Sequence, residues 1–110
     1  MYYQTRSGEV RAVDDISFTL ASGRALGVVG ESGCGKSSLG MTLLRLLPKN
    51  GRVVGGSVRL GGQELLEMDE ETFRKNIRWK KLAMVFQGAM NALNPVLTVG
   101  SQIAEAILAH

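Results

Sequence analysis

Residues 30–37 of this 110-residue chain read Gly30-Glu31-Ser32-Gly33-Cys34-Gly35-Lys36-Ser37, and they constrain the fold more than any other stretch. The pattern G-x-x-x-x-G-K-[ST] is a phosphate-binding loop, which joins a buried strand to a helix. Its flanks fit that role. Ala25-Leu26-Gly27-Val28-Val29 is an apolar run of strand length, and residues 38–47 carry Leu39, Leu43, Leu46 and Leu47 at helical spacing before Pro48. The expected order is therefore strand, loop, helix.

The chemistry expected of this loop follows from its residue types. Gly30, Gly33 and Gly35 can adopt backbone conformations closed to other residues and let phosphate oxygens approach closely. Successive N–H groups then form an anion cradle at the positive end of the following helix. Lys36 is expected to reach the β- and γ-phosphates and Ser37 to ligate Mg²⁺. Ser38, next along the helix, is placed for the α-phosphate. Glu31, Ser32 and Cys34 complete the loop, so residues 30–38 are the expected site for ATP with Mg²⁺.

Composition fits one small α/β unit: 45% of residues are hydrophobic, 21% are charged and 14 are glycine. No apolar run approaches the roughly 18 residues of a membrane span, and Met1-Tyr2-Tyr3-Gln4 lacks a signal-peptide pattern. The single cysteine, Cys34, has no internal disulfide partner, as expected in a reducing compartment. The net charge of +3 is mild, and Arg74, Lys75, Arg78, Lys80 and Lys81 read as a solvated helix end. With no aromatic ladder beside them, no nucleic-acid partner is expected.

Along the rest of the chain, residues 10–20 alternate as a half-buried strand with Ile16, Phe18 and Leu20 on one face. Residues 58–65 read as a strand, a Gly61-Gly62 turn and a return segment. Asp69-Glu70-Glu71 opens a short helix with Arg74 and Lys75 near its end. Residues 82–86 are a second buried-strand run. Asn94-Pro95 breaks the chain, and Thr98 is the expected N-cap of a helix carrying Ile103, Ala106 and Ile107. The fold class expected is α/β, a P-loop core with an antiparallel β-subdomain.

Three segments narrow the reaction: residues 8–18, the loop with Val28-Val29 before it, and Met84-Val85-Phe86-Gln87 followed by Leu93-Asn94-Pro95-Val96. Together they resemble the ATP-binding-cassette (ABC) ATPase subunits of dipeptide and oligopeptide importers, in the peptide and nickel branch. The resemblance covers essentially the whole chain. It implies ATP hydrolysis coupled to import, with ATP and Mg²⁺ as cofactors. It implies that Tyr3 stacks on adenine, Tyr2 being the competing assignment. Gln87 matches the glutamine that contacts Mg²⁺ or the attacking water and senses the membrane partner. Residues 87–96 would dock on a transmembrane permease subunit, a second ATPase subunit would complete the dimer, and the protein would sit on the cytoplasmic face of the membrane.

Two positions depart from the family pattern. Gly88-Ala89 stands where many relatives carry an acidic residue and proline, and Glu31 stands where many have proline. A carboxylate facing phosphate would repel it, so Glu31 is expected to point to solvent. Family elements are also missing: the Leu-Ser-Gly-Gly-Gln-type signature, the Walker B aspartate, the catalytic glutamate and the switch histidine. Gly61-Gly62-Gln63 reads as a hairpin turn, and His110, the single histidine, is not expected to be the switch. No complete catalytic set is therefore expected within residues 1–110, read as the N-terminal part of one ABC ATPase domain, ending as the helical subdomain begins. A small-molecule kinase, or a nucleotide-binding fragment without catalysis, are the alternatives.

Overall fold

A computed structural model describes residues 1–88 and 93–109. The chain divides into two compact units, Met1–Leu66 and Glu67–His110.

The first unit is built on an antiparallel sheet of order β2-β1-β3, formed by β1 (Tyr2–Thr5), β2 (Gly8–Arg11) and β3 (Gly51–Arg52). Arg6-Ser7 turns β1 back onto β2 in the register Tyr2↔Arg11 to Thr5↔Gly8. On its other edge β1 pairs Tyr2 with Arg52 and Tyr3 with Gly51, extended by Gln4 N–H donating to the Asn50 carbonyl at 2.8 Å. An ion pair between Arg52 and Glu9 ties the outer strands. Being largely exposed, it adds no more than about 1 kcal/mol.

Helix α1 (Lys36–Leu43) follows the phosphate loop. It stops short of the expected Leu47. Leu46 N–H donates to the Met41 carbonyl and Arg45 N–H to the Thr42 carbonyl, with Arg45 at φ 54°. That is the paired bonding of a Schellman terminus with arginine in the left-handed position that glycine usually takes. The helix thus ends by its own carbonyl bonding, before Pro48 is reached. Met1, Leu44 and Leu65 are the buried apolar side chains of this unit, joined by Thr42, whose hydroxyl donates to the Ser38 carbonyl at 2.7 Å.

The expected hairpin is present: β4 (Arg59–Leu60) pairs with β5 (Gln63–Glu64). Gly61 and Gly62 both take positive φ, 56° and 82°, as a two-residue turn matched to strand twist requires. The Glu64 carboxylate accepts from the N–H groups of Val58 and Leu66 and braces the hairpin base.

In the second unit, α2 (Glu70–Asn76) is capped by Asp69, which accepts from Thr72 N–H at 2.8 Å. Glu70 and Glu71 at its start and Arg74 and Lys75 at its end suit the macrodipole, as expected. Phe73 and Ile77 are fully buried, and the Arg78 guanidinium lies 5.3 Å from the Phe73 ring centroid. Thr98 caps α3 (Val99–Leu108), also as expected, accepting from Ser101 N–H at 3.2 Å. No described helix is long and apolar enough to cross a membrane.

Of the three expected strands, the one over residues 10–20 forms only at Val10 and Arg11, within β2, and the other two do not form. Residues 12–30 and 83–86 contain no strand. Ile16, Phe18, Leu20, Leu26 and Val28 are about half exposed, and Val29 and Val85 are 96% and 93% exposed. A core strand needs neighbours on both edges and cover on both faces. The described residues pair only in the antiparallel pieces above and in one isolated bridge between Arg78 and Leu82. Apolar pattern alone therefore does not order these segments.

Candidate functional site

The loop preceding α1 is shaped by its glycines. Gly33 and Gly35 take φ of 82° and 97°, the second acting as the left-handed N-cap of the helix. Gly30 is not left-handed; a Cβ there would lie 2.5 Å from Cys34 Sγ, so the cysteine side chain would have to turn aside to admit one. At Gly35 positive φ and close approach coincide, because a Cβ would collide with the backbone carbonyl of Ala12.

Ala12 is itself held in place. The Met1 ammonium donates to the Val13 carbonyl at 2.6 Å, and Val13 N–H donates back to the Met1 carbonyl at 3.0 Å. Next to them the Tyr2 hydroxyl donates to Asp14 at 2.5 Å. That bond holds the Asp14 carboxyl below its ordinary range and pushes the Tyr2 phenol up. The segment following β2 is thus stitched to the start of β1 and forms a wall behind the loop.

Lys36 folds back over the loop. Its ammonium donates to the carbonyls of Gly30 and Glu31 at 2.6 and 2.7 Å and to Cys34 Sγ at 3.2 Å. Among the described residues none of these partners is a carboxylate, so the charge is solvated by neutral dipoles and is available to an anion. The contact lowers the Cys34 thiol, chiefly through the Lys36 hydrogen bond. The first α1 bond runs from Leu39 N–H to the Gly35 carbonyl, leaving the N–H groups of Lys36, Ser37 and Ser38 ahead of the ladder. No side chain caps this end. Free N–H groups, helix dipole and an unneutralised ammonium converge, a donor set that fits a polyphosphate.

Ser37 is exposed and Glu31 is exposed, the latter as expected. Ser38 is half-buried, and its hydroxyl lies 2.9 Å from the Tyr3 hydroxyl. Of the two tyrosines, the structure brings Tyr3 to the loop's helix and turns Tyr2 to Asp14. Nothing in the local sequence marks either the Tyr3–Ser38 contact or the Ala12 wall, because each joins residues more than 20 positions apart.

Gln87 belongs to the second unit and is exposed. Beyond it, residues 89–92, including Ala89 and much of the expected docking stretch, lie outside the described residues, as does His110. The described end of that stretch is well braced. The Gln102 side chain accepts from Asn94 N–H at 2.8 Å and donates to the Asn94 and Leu97 carbonyls at 3.0 and 3.1 Å.

The family profile described as ABC transporter matches residues 13–109. The chain is 50% identical over 101 residues to the probable peptide ABC transporter ATP-binding protein y4tR of Sinorhizobium fredii, 91% of this chain and 30% of that protein. It is 43% identical over 108 residues to the oligopeptide transport ATP-binding protein OppD of Escherichia coli, 98% of this chain and 32% of that protein. With the dipeptide transport ATP-binding protein DppD of Lactococcus lactis it shares 41% identity over 108 residues, 98% of this chain and 31% of that protein. No solved structure matches significantly. The chain spans about a third of the length of these curated relatives. With its profile match running through the phosphate loop to α3, the chain belongs to the ABC transporter family, and its fold is that of a P-loop NTPase.

Proposed function

We propose that this chain binds Mg·ATP on residues 30–38 and that, in the whole protein, ATP hydrolysis there drives peptide import. The observation that carries the reading is the Lys36 ammonium, held on the Gly30 and Glu31 carbonyls at the mouth of an uncapped helix. On binding, Lys36 exchanges those neutral carbonyls for phosphate oxygens, a gain in charge complementarity that needs little movement of the loop. The Lys36, Ser37 and Ser38 N–H groups complete the cradle. Ser37 Oγ is the loop side chain that would hold Mg²⁺, which when bound offsets charge on the phosphates. By the family resemblance, Tyr3 would stack on the adenine and Gln87 would contact Mg²⁺ or the attacking water.

In this reading residues 1–110 are the N-terminal part of one nucleotide-binding domain, and the general base and signature lie elsewhere in the protein. Supporting it are the relatives' threefold greater length and the unpaired apolar segments 16–20, 25–29 and 83–86. Its partners are a second ATPase subunit and permease subunits that dock at residues 87–96, placing the protein peripherally on the cytoplasmic face of the membrane. The transported class is peptides, as in the names of the relatives, with nickel as the other cargo of the resembling branch.

The test is peptide uptake by the assembled transporter in proteoliposomes. Wild type is expected to take up labelled oligopeptide only with ATP, and Lys36→Ala to abolish uptake. ATP-driven uptake of nickel but no peptide would reassign the cargo. Unimpaired uptake by Lys36→Ala would refute the site.

A further inference from the structure

Tyr3 and Ser38 are 35 residues apart in sequence, yet their hydroxyl oxygens lie 2.9 Å apart and both residues are half-buried. Stacking on adenine would use the Tyr3 ring faces and leave this hydroxyl contact unexplained. Both ends of the contact are held by backbone structure. Tyr3 lies in the central strand, paired with Val10 on one side and Gly51 on the other. Ser38 sits in the first turn of α1, where its carbonyl accepts from the buried Thr42 hydroxyl.

Each hydroxyl has one proton to give, and in this pair either oxygen could be the donor. An ionised phosphate beside Ser38 removes that freedom. Phosphate oxygens accept only, so the Ser38 proton must go to the phosphate, and the Tyr3 proton must then go to Ser38 Oγ. A chain of donors pointing at an anion is mutually polarised. It also selects one of the three staggered positions of the serine hydroxymethyl group.

We propose that Tyr3, through its hydroxyl, is a positioning residue that orients Ser38 to donate to the α-phosphate of the bound nucleotide. This role rests on the nucleotide-binding reading above and gives the strand β1 tyrosine a function distinct from base stacking.

The test measures Mg·ATP affinity of the full-length protein as wild type, Tyr3→Phe, Ser38→Ala and the double variant. Phenylalanine keeps the ring and deletes the hydroxyl. Tyr3→Phe is expected to weaken binding about three- to tenfold, the effect of one hydrogen bond. Ser38→Ala should weaken it at least as much, and the double variant no more than Ser38→Ala alone. A merely structural tie would affect every nucleotide alike, so the measurements are repeated with ATPγS and both diastereomers of ATPαS. Sulfur is a weak acceptor. For one ATPαS diastereomer the Tyr3→Phe penalty should fall below twofold, while ATPγS retains the full penalty. A silent Tyr3→Phe, additive effects in the double variant, or one penalty shared by all nucleotides would overturn the role. Lys36→Ala separates the two levels. If ATP binds and Lys36→Ala abolishes it while the Tyr3 results fail, only the hydroxyl role falls. If wild type binds no ATP, the nucleotide-binding reading falls and takes this role with it.

Discussion

The carbonyl of Ala12 occupies the space that a side chain on Gly35 would need. This contact couples the segment after β2 to the residue that begins the phosphate-loop helix, and it makes Gly35 the most constrained glycine of the loop. Gly33 also has positive φ, 82°, but nothing lies within 4 Å of its would-be Cβ.

Gly33→Ala should therefore cost only the left-handed backbone strain, about 1–2 kcal/mol. Gly35→Ala should cost more, because a backbone group must move as well. Chemical unfolding of both variants checks the order, and equal losses would contradict the Ala12 contact.

The Lys36 contact should make Cys34 unusually reactive for an exposed thiol. Its alkylation rate is expected to reach its plateau at lower pH than that of a free cysteine, whose pKa is about 8.5. Lys36→Met should move the profile back up, and Mg·ATP should protect the thiol. Iodoacetamide kinetics across pH read all three effects.

Three carboxyl groups lie below their ordinary range: Asp14 through the Tyr2 hydroxyl, Glu64 through Val58 N–H, and Asp69 through Thr72. Each binds a proton less readily folded than unfolded. The stability they lend is present above the unfolded value, near 4, and is lost as pH falls through the lower native values. The urea midpoint should drop across that interval, and Asp14→Asn with Glu64→Gln should flatten the drop.

Local signals carried well from sequence to structure. The Thr98 and Asp69 caps, the Gly61-Gly62 turn and the loop-to-helix junction at Gly35 each depend on residues within four positions of one another. Leu26, Val28 and Val85 were equally plain as strand residues by apolarity, yet remain exposed. Strand formation there depends on distant pairing partners, which a run of apolar residues does not itself contain. The same distance hid the contacts of Ser38 with Tyr3 and of Gly35 with Ala12, whereas the loop residues themselves were legible from their spacing.

Gln102 gives a further check on the second unit. It is the residue that closes the Asn94–Pro95 turn onto α3, through both its amide oxygen and its amide nitrogen. Gln102→Ala should leave α3 formed and raise the hydrogen-exchange rate of Asn94 N–H several-fold, as expected for losing a bond of about 1 kcal/mol. Unchanged exchange would show that the turn holds by itself.

The most direct measurement is calorimetric titration of Mg·ATP into the wild-type protein and Lys36→Ala. Saturable binding at one site per chain, weakened more than tenfold by Lys36→Ala, is the predicted result. Equal affinity in the two proteins would place any nucleotide somewhere other than residues 30–38 and contradict the central claim.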